Sequence, residues 1–230
     1  MMTDIIFDFF GTLVNYSHGI TDKTFANSHA YLQAQGFSIT YQAFLDGWDA
    51  AFEVLEQQAQ VDYHEYHMRD AAQQFITNTF QTEVDQAVYD TLVAYFIDEW
   101  NAGVTYHPGI KGFLTKLAEN FRLSIITNTH YAPLVDDHLA KMAVAHLFTV
   151  VVKSVEHGLR KPHPKIFEDT LAQLNIPIDQ AIYVGDSFEN DYQGASGINL
   201  ECILIDPEKQ YLHTNVRRVD HLYDIEVVIK

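Results

Sequence analysis

The sequence predicts an α/β fold, a Rossmann-like doubly wound parallel sheet into which an all-α segment is inserted. First, short apolar runs rich in β-branched residues alternate with amphipathic, helix-like stretches. Second, these runs are continuously apolar, as expected of strands that are covered by helices on both faces. Third, a long stretch after the first run spaces its apolar residues helically and contains almost no glycine or proline.

Each element of the sheet is predicted from one apolar run. Strands are expected at residues 5–9, 123–127, 148–152, 181–185 and 202–205. Helices are expected at about residues 109–119, 133–141, 165–175 and 190–196. The segment 217–230 is expected to cover the core, with a last apolar run at 225–229.

Residues 17–103 are predicted to form the inserted all-α domain, with about four helices, and residues 1–16 and 104–230 the core. Two apolar stripes at helical spacing support this division, one around Trp48 and one ending at Trp100. Aromatic residues in such stripes usually form the interior of a helix bundle. We therefore expect both tryptophans to pack inside the insert.

Composition excludes several classes of function. The chain has 14 basic and 31 acidic residues, a net charge of −17, which disfavours nucleic acid and anionic membranes as partners. No apolar run approaches the roughly 20 residues of a membrane span. The single cysteine, Cys202, and the absence of a signal-like start predict a cytoplasmic protein. An anionic small-molecule substrate would need a local cation or a metal ion.

Polar residues follow four of the predicted strands, at the edge where ligands bind in doubly wound sheets. They occur in the segments IIFDFFGTLV, SIITNTH, GLRKPHPKIF and YVGDSFEND. The residues concerned are Asp8, Gly11, Thr12, Thr127, Asn128, Lys161, Asp186 and Asp191. In the third segment, Lys161-Pro162 is expected to open a helix. Taken singly, a strand-ending aspartate is often a helix cap or a turn former.

Together, the three aspartates indicate a metal site. Asp8, Asp186 and Asp191 would repel one another on one sheet edge unless a cation lay among them. Mg²⁺ prefers such oxygen ligands and completes its octahedron with water or phosphate oxygen. The sequence therefore predicts Mg²⁺ as cofactor.

The four segments resemble the motifs of the haloacid dehalogenase-like (HAD) hydrolase superfamily, subfamily I, and the insert resembles its helical cap. The resemblance runs from residue 5 to about residue 207. It implies that Asp8 is the nucleophile and that Lys161 neutralises charge beside it. It further implies that Thr127 and the backbone of Asn128 hold the transferred group, while the cap closes over the strand ends.

The resemblance also assigns the metal site and the loop beside it. Asp186 and Asp191 would bind Mg²⁺ together with Asp8, and the backbone carbonyl of Phe10 would complete the protein ligands. Gly11 and Thr12 would shape the loop over the phosphate. The implied activity is a phosphatase acting on a small phosphorylated metabolite.

Phe10 departs from the phosphatase pattern, which places a second Asp, the general acid/base, at this position. Such a group contributes about 10²–10⁴ in rate. One alternative is a phosphatase served by another acid, for which His130 and His18 are candidates. A second is a 2-haloacid dehalogenase or a phosphonatase, although Arg69 and Lys23 are poorly placed for the cap residues that those enzymes need. A third is a binding protein without turnover.

Overall fold

The computed structural model describes residues 2–16 and 24–229. Its strands, in chain order, are β1 (Asp4–Phe7), β2 (Val14–Tyr16), β3 (Val104–Tyr106), β4 (Arg122–Thr127), β5 (Phe148–Lys153), β6 (Ala181–Gly185), β7 (Glu201–Ile205) and β8 (Arg218–Val219). Within these ranges the main sheet has six strands in the order β5-β4-β1-β6-β7-β8. All of its neighbouring strands are parallel. The Rossmann-like parallel sheet predicted from the sequence is confirmed.

The α-helices lie where the amphipathic stretches predicted most of them. They are α1 (Ala26–Ala34), α2 (Tyr41–Asp62), α3 (Met68–Phe80), α4 (Gln86–Asn101), α5 (Ile110–Ala118), α6 (Ala132–Lys141), α7 (Ser154–His157), α8 (Pro164–Leu174), α9 (Gly194–Gly197) and α10 (Ile225–Val228). Short 3₁₀ turns occur at Ala145–Leu147, Ile178–Gln180 and Leu222–Asp224. In the described ranges, no helix combines the length and apolarity that crossing a membrane requires.

The chain divides into two compact units. One comprises Met1–Asn15 and Thr105–Lys230, and the other comprises Tyr16–Val104. Strands β2 and β3, which the sequence did not predict, pair with each other in a separate two-stranded sheet. They contain only three residues each, too few for a periodic signal.

One part of the core of the first unit lies between the sheet and α8. Ile6, Ile126 and Tyr183 from three adjacent strands are fully buried and cluster with Ile166 and Phe167 of α8. Burying side chains of this size stabilises the fold by roughly 1.5–3 kcal/mol each. The alternation of strand side chains sends these residues to the same face, which fixes the register of β1, β4 and β6.

Helices α1–α4 of the second unit pack around aromatic rings. The Trp48 ring is stacked on Phe75 at a centroid distance of 5.0 Å and lies 4.3 Å from Phe96. Phe25 stacks on the other side of this cluster, 4.3 Å from Phe96. Trp48 is therefore a core residue, as the apolar stripe predicted, whereas Trp100 is only half-buried.

Two local expectations were wrong. The helix expected to open at Lys161-Pro162 begins at Pro164, with His163 as its N-cap. A residue that precedes proline is disfavoured in the helical region, so the pair of prolines delays the helix. The helix expected at 190–196 is instead a π-helical turn, Phe188–Gln193, followed by the short α9.

Candidate active site

Three aspartates meet at the carboxyl edge of the sheet. Asp8 follows β1, Asp186 follows β6, and Asp191 lies in the π-helical turn. In register, Phe7 of β1 is level with Ile125 of β4 and Val184 of β6, so residues just beyond these positions share one edge. One carboxylate oxygen from each aspartate lies within 4.8 Å of the others. Asp8 and Asp191 are buried, and Asp186 is exposed.

A buried lysine connects two of these carboxylates. Lys161 is 2% exposed, and its Nζ donates to Oδ1 of Asp8 and to Oδ1 of Asp191, each at 2.6 Å. Burial alone lowers the pKa of an ammonium group, but the charges of Asp191 and Asp8 outweigh burial and raise the pKa of Lys161 above its ordinary value. Lys161 is therefore a fixed positive charge beside Asp8.

Tyr183 is a site residue that sequence reasoning missed. Its hydroxyl accepts a hydrogen bond from Nζ of Lys161 at 2.8 Å and lies 3.0 Å from Oδ1 of Asp191. Burial, together with the charges of Asp191 and Asp8, raises the pKa of Tyr183 well above its ordinary value, so the hydroxyl keeps its proton. In the sequence, Tyr183 reads as one more apolar residue of a buried strand.

The three carboxylates together can carry more negative charge than the ammonium group of Lys161 neutralises. Burial raises the pKa of Asp8 to about 8; Lys161 opposes this rise, whereas the charges of Asp191 and Asp186 add to it. Desolvation of the carboxyl group and the charge of Asp191 likewise raise the pKa of Asp186, against a hydrogen bond from Thr12. The electrostatics therefore favour a further cation at this edge.

Two glycines make room for the carboxylates. Gly11 has φ +91°, and a Cβ at this position would lie 2.3 Å from Oδ2 of Asp186. A Cβ on Gly185 would lie 2.3 Å from Cγ of Asp191. Beside Gly11, the buried Thr12 hydroxyl donates to Oδ1 of Asp186 at 2.9 Å. Of the predicted loop residues, Thr12 thus contacts the Asp186 carboxylate directly and Gly11 leaves space for it.

Thr127 and Asn128 lie at the end of β4 as predicted. Thr127 is buried, and its hydroxyl lies 3.4 Å from the carbonyl oxygen of Asn128. The Asn128 side chain has a contact that the sequence did not predict. It accepts from the backbone N–H of Lys161 at 2.8 Å and donates to the carbonyl of Lys161 at 2.9 Å.

The position of the expected acid/base holds an aromatic ring. Phe10 packs edge-on against Phe9 at 5.0 Å and against His138 at 6.1 Å. Of the two histidines considered as substitutes, His130 is half-buried in the turn before α6. His18, like Lys23, lies outside the described residues.

Arg69 of the insert pairs with Asp90 in its own unit. His64 and His67, which are three residues apart in the sequence, lie between α2 and α3 rather than together on a helix. Among the described residues, the one group of acidic or histidine side chains close enough to share a metal ion is Asp8, Asp186 and Asp191.

The donor set suits a hard divalent cation. All three side chains offer oxygen, the ligand that Mg²⁺ takes in proteins. Asp191 already accepts hydrogen bonds from Lys161 and from the backbone N–H of Ser187, the latter at 2.9 Å, and its Oδ1 lies 3.0 Å from the Tyr183 hydroxyl. Asp8 and Asp186 consequently have more lone pairs left for direct coordination than Asp191 has.

A parallel α/β sheet that carries three carboxylates and a buried lysine at its carboxyl edge defines a doubly wound α/β protein with a charged site where such folds bind ligands. The chain belongs to the haloacid dehalogenase-like hydrolase family, whose model matches residues 5–205. This is the family that the four motifs indicated.

Curated relatives include enzymes named as phosphatases. The chain is 30% identical over 142 residues to a glyceraldehyde 3-phosphate phosphatase of Methanopyrus kandleri, a match covering 61% of this chain and 57% of the relative. It is 27% identical over 201 residues to a phosphoglycolate phosphatase of Yersinia pseudotuberculosis, covering 86% and 78%. In several other matches, as in the first of these two, the chain spans only about half the length of the curated relative.

Among solved structures, the fold is similar to that of a 2-haloacid dehalogenase from Pseudomonas syringae pv. Tomato DC3000. The TM-score is 0.71, the identity is 16%, and the match covers 100% of this chain and 98% of the other. At this identity the likeness concerns the fold alone.

Proposed function

We propose that the protein is a Mg²⁺-dependent phosphatase that hydrolyses a small phosphorylated metabolite in the cytoplasm, with Asp8 as the nucleophile. One observation carries this proposal: Nζ of Lys161 lies 2.6 Å from both Asp8 and Asp191, while Asp186 joins them in one carboxylate cluster. The arrangement surrounds a carboxylate nucleophile with the positive charge that an anionic substrate needs.

The proposed reaction has two displacements at phosphorus. An oxygen of Asp8 forms a bond to phosphorus while the bond to the leaving oxygen breaks, and the leaving group takes a proton from solvent or from an acid other than residue 10. Water then attacks the aspartyl phosphate, which releases inorganic phosphate and restores the Asp8 carboxylate. Dividing one difficult step in two is the advantage of covalent catalysis.

The chain's own residues each support this reaction. Lys161 offsets the repulsion between Asp8 and the phosphoryl oxygens. The hydroxyl of Thr127 and the backbone of Asn128 lie at the end of the neighbouring strand β4 and are proposed to hold the phosphoryl group. The Gly11-Thr12 turn holds Asp186 in place.

Mg²⁺ is proposed to be held by Asp8, Asp186 and the carbonyl of Phe10, with Asp191 as a further or outer ligand. When bound, the ion would neutralise phosphoryl charge at this edge. The excess of carboxylate charge supports this assignment, as does the space that Gly11 and Gly185 leave for the carboxylates.

The relatives support a phosphate ester rather than another substrate. They include enzymes named as phosphatases of glyceraldehyde 3-phosphate and of phosphoglycolate, both small phosphorylated molecules. An acidic protein with a net charge of −17 also has little attraction for nucleic acid. A small phosphorylated metabolite is therefore the proposed substrate class.

A paired assay tests the reaction class. Purified protein is incubated with p-nitrophenyl phosphate and with 2-chloropropionate, each with Mg²⁺ and with EDTA. We expect phosphate release that EDTA abolishes and no halide release. Inertness towards both substrates, in a protein that still binds Mg²⁺, would favour binding without turnover.

One observation favours a second candidate, 2-haloacid dehalogenation. Halide leaves without a proton, so a ring at Phe10 does not impair that reaction. Retention of both Asp186 and Asp191 counts against it, because dehalogenation of this type needs no metal ion. Halide release that resists EDTA in the paired assay would establish this candidate instead.

A further inference from the structure

The ammonium group of Lys161 has three hydrogen-bond acceptors around it. Two are carboxylates, Asp8 and Asp191, each at 2.6 Å, and the third is the hydroxyl of Tyr183 at 2.8 Å. An ammonium group carries three N–H bonds. These three contacts therefore use the whole donor capacity of Lys161.

The Tyr183 hydroxyl is itself oriented by its neighbours. Because it accepts from Lys161, its single proton points elsewhere, to Oδ1 of Asp191 at 3.0 Å or to the carbonyl of Ile126 at 3.1 Å. The Ile126 carbonyl belongs to strand β4, so its position is fixed by the sheet. Either arrangement keeps a lone pair of the hydroxyl directed at Nζ.

The ring that carries this hydroxyl is packed in the core. Tyr183 is fully buried in β6, and Phe167 of α8 packs edge-on against its ring at 5.3 Å. Nζ of Lys161 also lies 5.5 Å from the ring centroid. Lys161 lies three residues before α8 begins, so the turn with the lysine and the helix against the ring are one continuous segment.

We propose that Tyr183 is a positioning residue, whose hydroxyl holds the Lys161 ammonium in the orientation that serves Asp8 and Asp191 together. This inference rests on the proposed role of Asp8 as the nucleophile. Without the hydroxyl, one N–H of a buried ammonium has no acceptor, and Nζ is free to turn towards a single carboxylate. Lys161 then offsets the charge at Asp8 less well during attack on phosphorus.

Tyr183→Phe tests this role because it removes the hydroxyl and keeps the ring against Phe167. A hydrogen bond to a charged group is strong enough that its loss should lower kcat on p-nitrophenyl phosphate by about ten- to a hundredfold. The KM should stay within about twofold, because Tyr183 is fully buried and so is not exposed to a bound substrate. The matched control is Tyr223→Phe, which removes a hydroxyl that donates to the carbonyl of Pro108 at 2.6 Å. The control should retain wild-type kcat.

A double-mutant cycle separates positioning from a general structural role. If Tyr183 acts through Lys161, then Tyr183→Phe should change kcat by less than about twofold in a Lys161→Met background. Thermal unfolding of every variant shows which of them are folded. Equal losses of kcat in the two backgrounds, or an unchanged kcat for Tyr183→Phe alone, would overturn the inference.

A measurement without turnover keeps this inference distinct from the proposed function. In ¹⁵N-labelled protein, the buried Lys161 ammonium should give a signal protected from water exchange, identified by its absence in Lys161→Met. We expect Tyr183→Phe to broaden or abolish this signal, and an unchanged signal would refute the positioning role. Failure of wild-type protein to hydrolyse p-nitrophenyl phosphate would instead refute the proposed function.

Discussion

The side chain of Asn128 and the backbone of Lys161 exchange two hydrogen bonds across 33 residues of sequence. Lys161 N–H donates to Oδ1 of Asn128 at 2.8 Å, and Nδ2 of Asn128 donates to the Lys161 carbonyl at 2.9 Å. The asparagine at the end of β4 therefore fixes the backbone from which the buried ammonium extends. Positioning of Lys161 thus begins at its main chain and ends at Tyr183, which contacts its Nζ.

Asn128→Asp should keep one hydrogen bond of this pair and remove the other. The carboxylate can still accept from Lys161 N–H, but it cannot donate to the carbonyl and will repel it. We expect the free energy of unfolding to fall by about 1–3 kcal/mol and kcat to fall at least about tenfold. Urea unfolding and steady-state kinetics measure the two effects. Asn78→Asp, an equal change on the exposed face of α3, should alter stability by no more than about 0.5 kcal/mol. Equal effects of both variants would contradict the prediction.

Gly11→Ala should damage the metal site through steric contact. Gly11 and Gly158 share a φ of +91°, but a Cβ on Gly158 would have nothing within 4 Å, whereas one on Gly11 would meet the Asp186 carboxylate. Both variants should lose about 1–2 kcal/mol of stability through left-handed strain. Only Gly11→Ala should also weaken Mg²⁺ binding, by about ten- to a hundredfold in calorimetric titration. Similar Mg²⁺ affinities in the two variants would contradict this prediction, because they would show that the Asp186 carboxylate moves away from the added methyl group without loss of binding.

Asp186→Asn tests the metal site itself. Titration of wild-type protein with Mg²⁺ in the presence of orthovanadate, a phosphate mimic, should show binding. We expect the variant to lose at least about a hundredfold in affinity, because an amide oxygen carries no full charge to offer the ion. Asp206→Asn, at the end of the adjacent strand β7, is the matched control and should bind Mg²⁺ like the wild type. Unchanged affinity in Asp186→Asn would remove the basis for the metal assignment.

Phe10→Asp should supply the missing general acid. On an alkyl phosphate, whose leaving group needs a proton, kcat should rise by up to about 10²–10⁴. On p-nitrophenyl phosphate, whose leaving group departs unprotonated, the change should be much smaller. Phe10→Asn is the matched control. Its side chain has nearly the size of aspartate but no carboxylic acid proton, and it loses the same ring contacts with Phe9 and His138. An equal effect of Asp and Asn on the alkyl phosphate would rule out a role for the proton.

Asp206 should make the fold sensitive to acid. Burial alone would raise the pKa of Asp206, but the N–H groups of Tyr211 and Gln210 and the guanidinium of Arg218 outweigh it and lower that pKa. Because the folded-state pKa is depressed, the stabilisation is complete above the unfolded-state value of about 3.9 and is lost as pH falls through the folded-state value.

The difference in unfolding free energy between wild type and Asp206→Asn should therefore be constant from pH 7 to about pH 5 and shrink below about pH 4. Urea unfolding across this range measures the difference. Asp49→Asn, which changes an exposed carboxylate of α2, should show no such trend. A difference that grows as the pH falls would contradict the assigned sign.

The sequence by itself determined the sheet, the all-α insert and the meeting of Asp8, Asp186 and Asp191. These follow from local patterns, because continuous apolar runs define buried parallel strands, and parallel strands bring their carboxyl ends to one edge. The same patterns could not determine β2, β3 and β8, whose two or three residues are too few to show a period.

Only the tertiary structure decided which groups touch within the site. Tyr183 reads in the sequence as an interior strand residue, and its role depends on the register of β6 beside β1 and on the turn before α8. Likewise, the Asn128 side chain reaches Lys161 because β4 lies beside β5, the strand that leads into the segment containing Lys161, not because of any spacing along the chain. Hydrogen bonds across 22 to 153 residues depend on strand register and helix phase, which local composition does not encode.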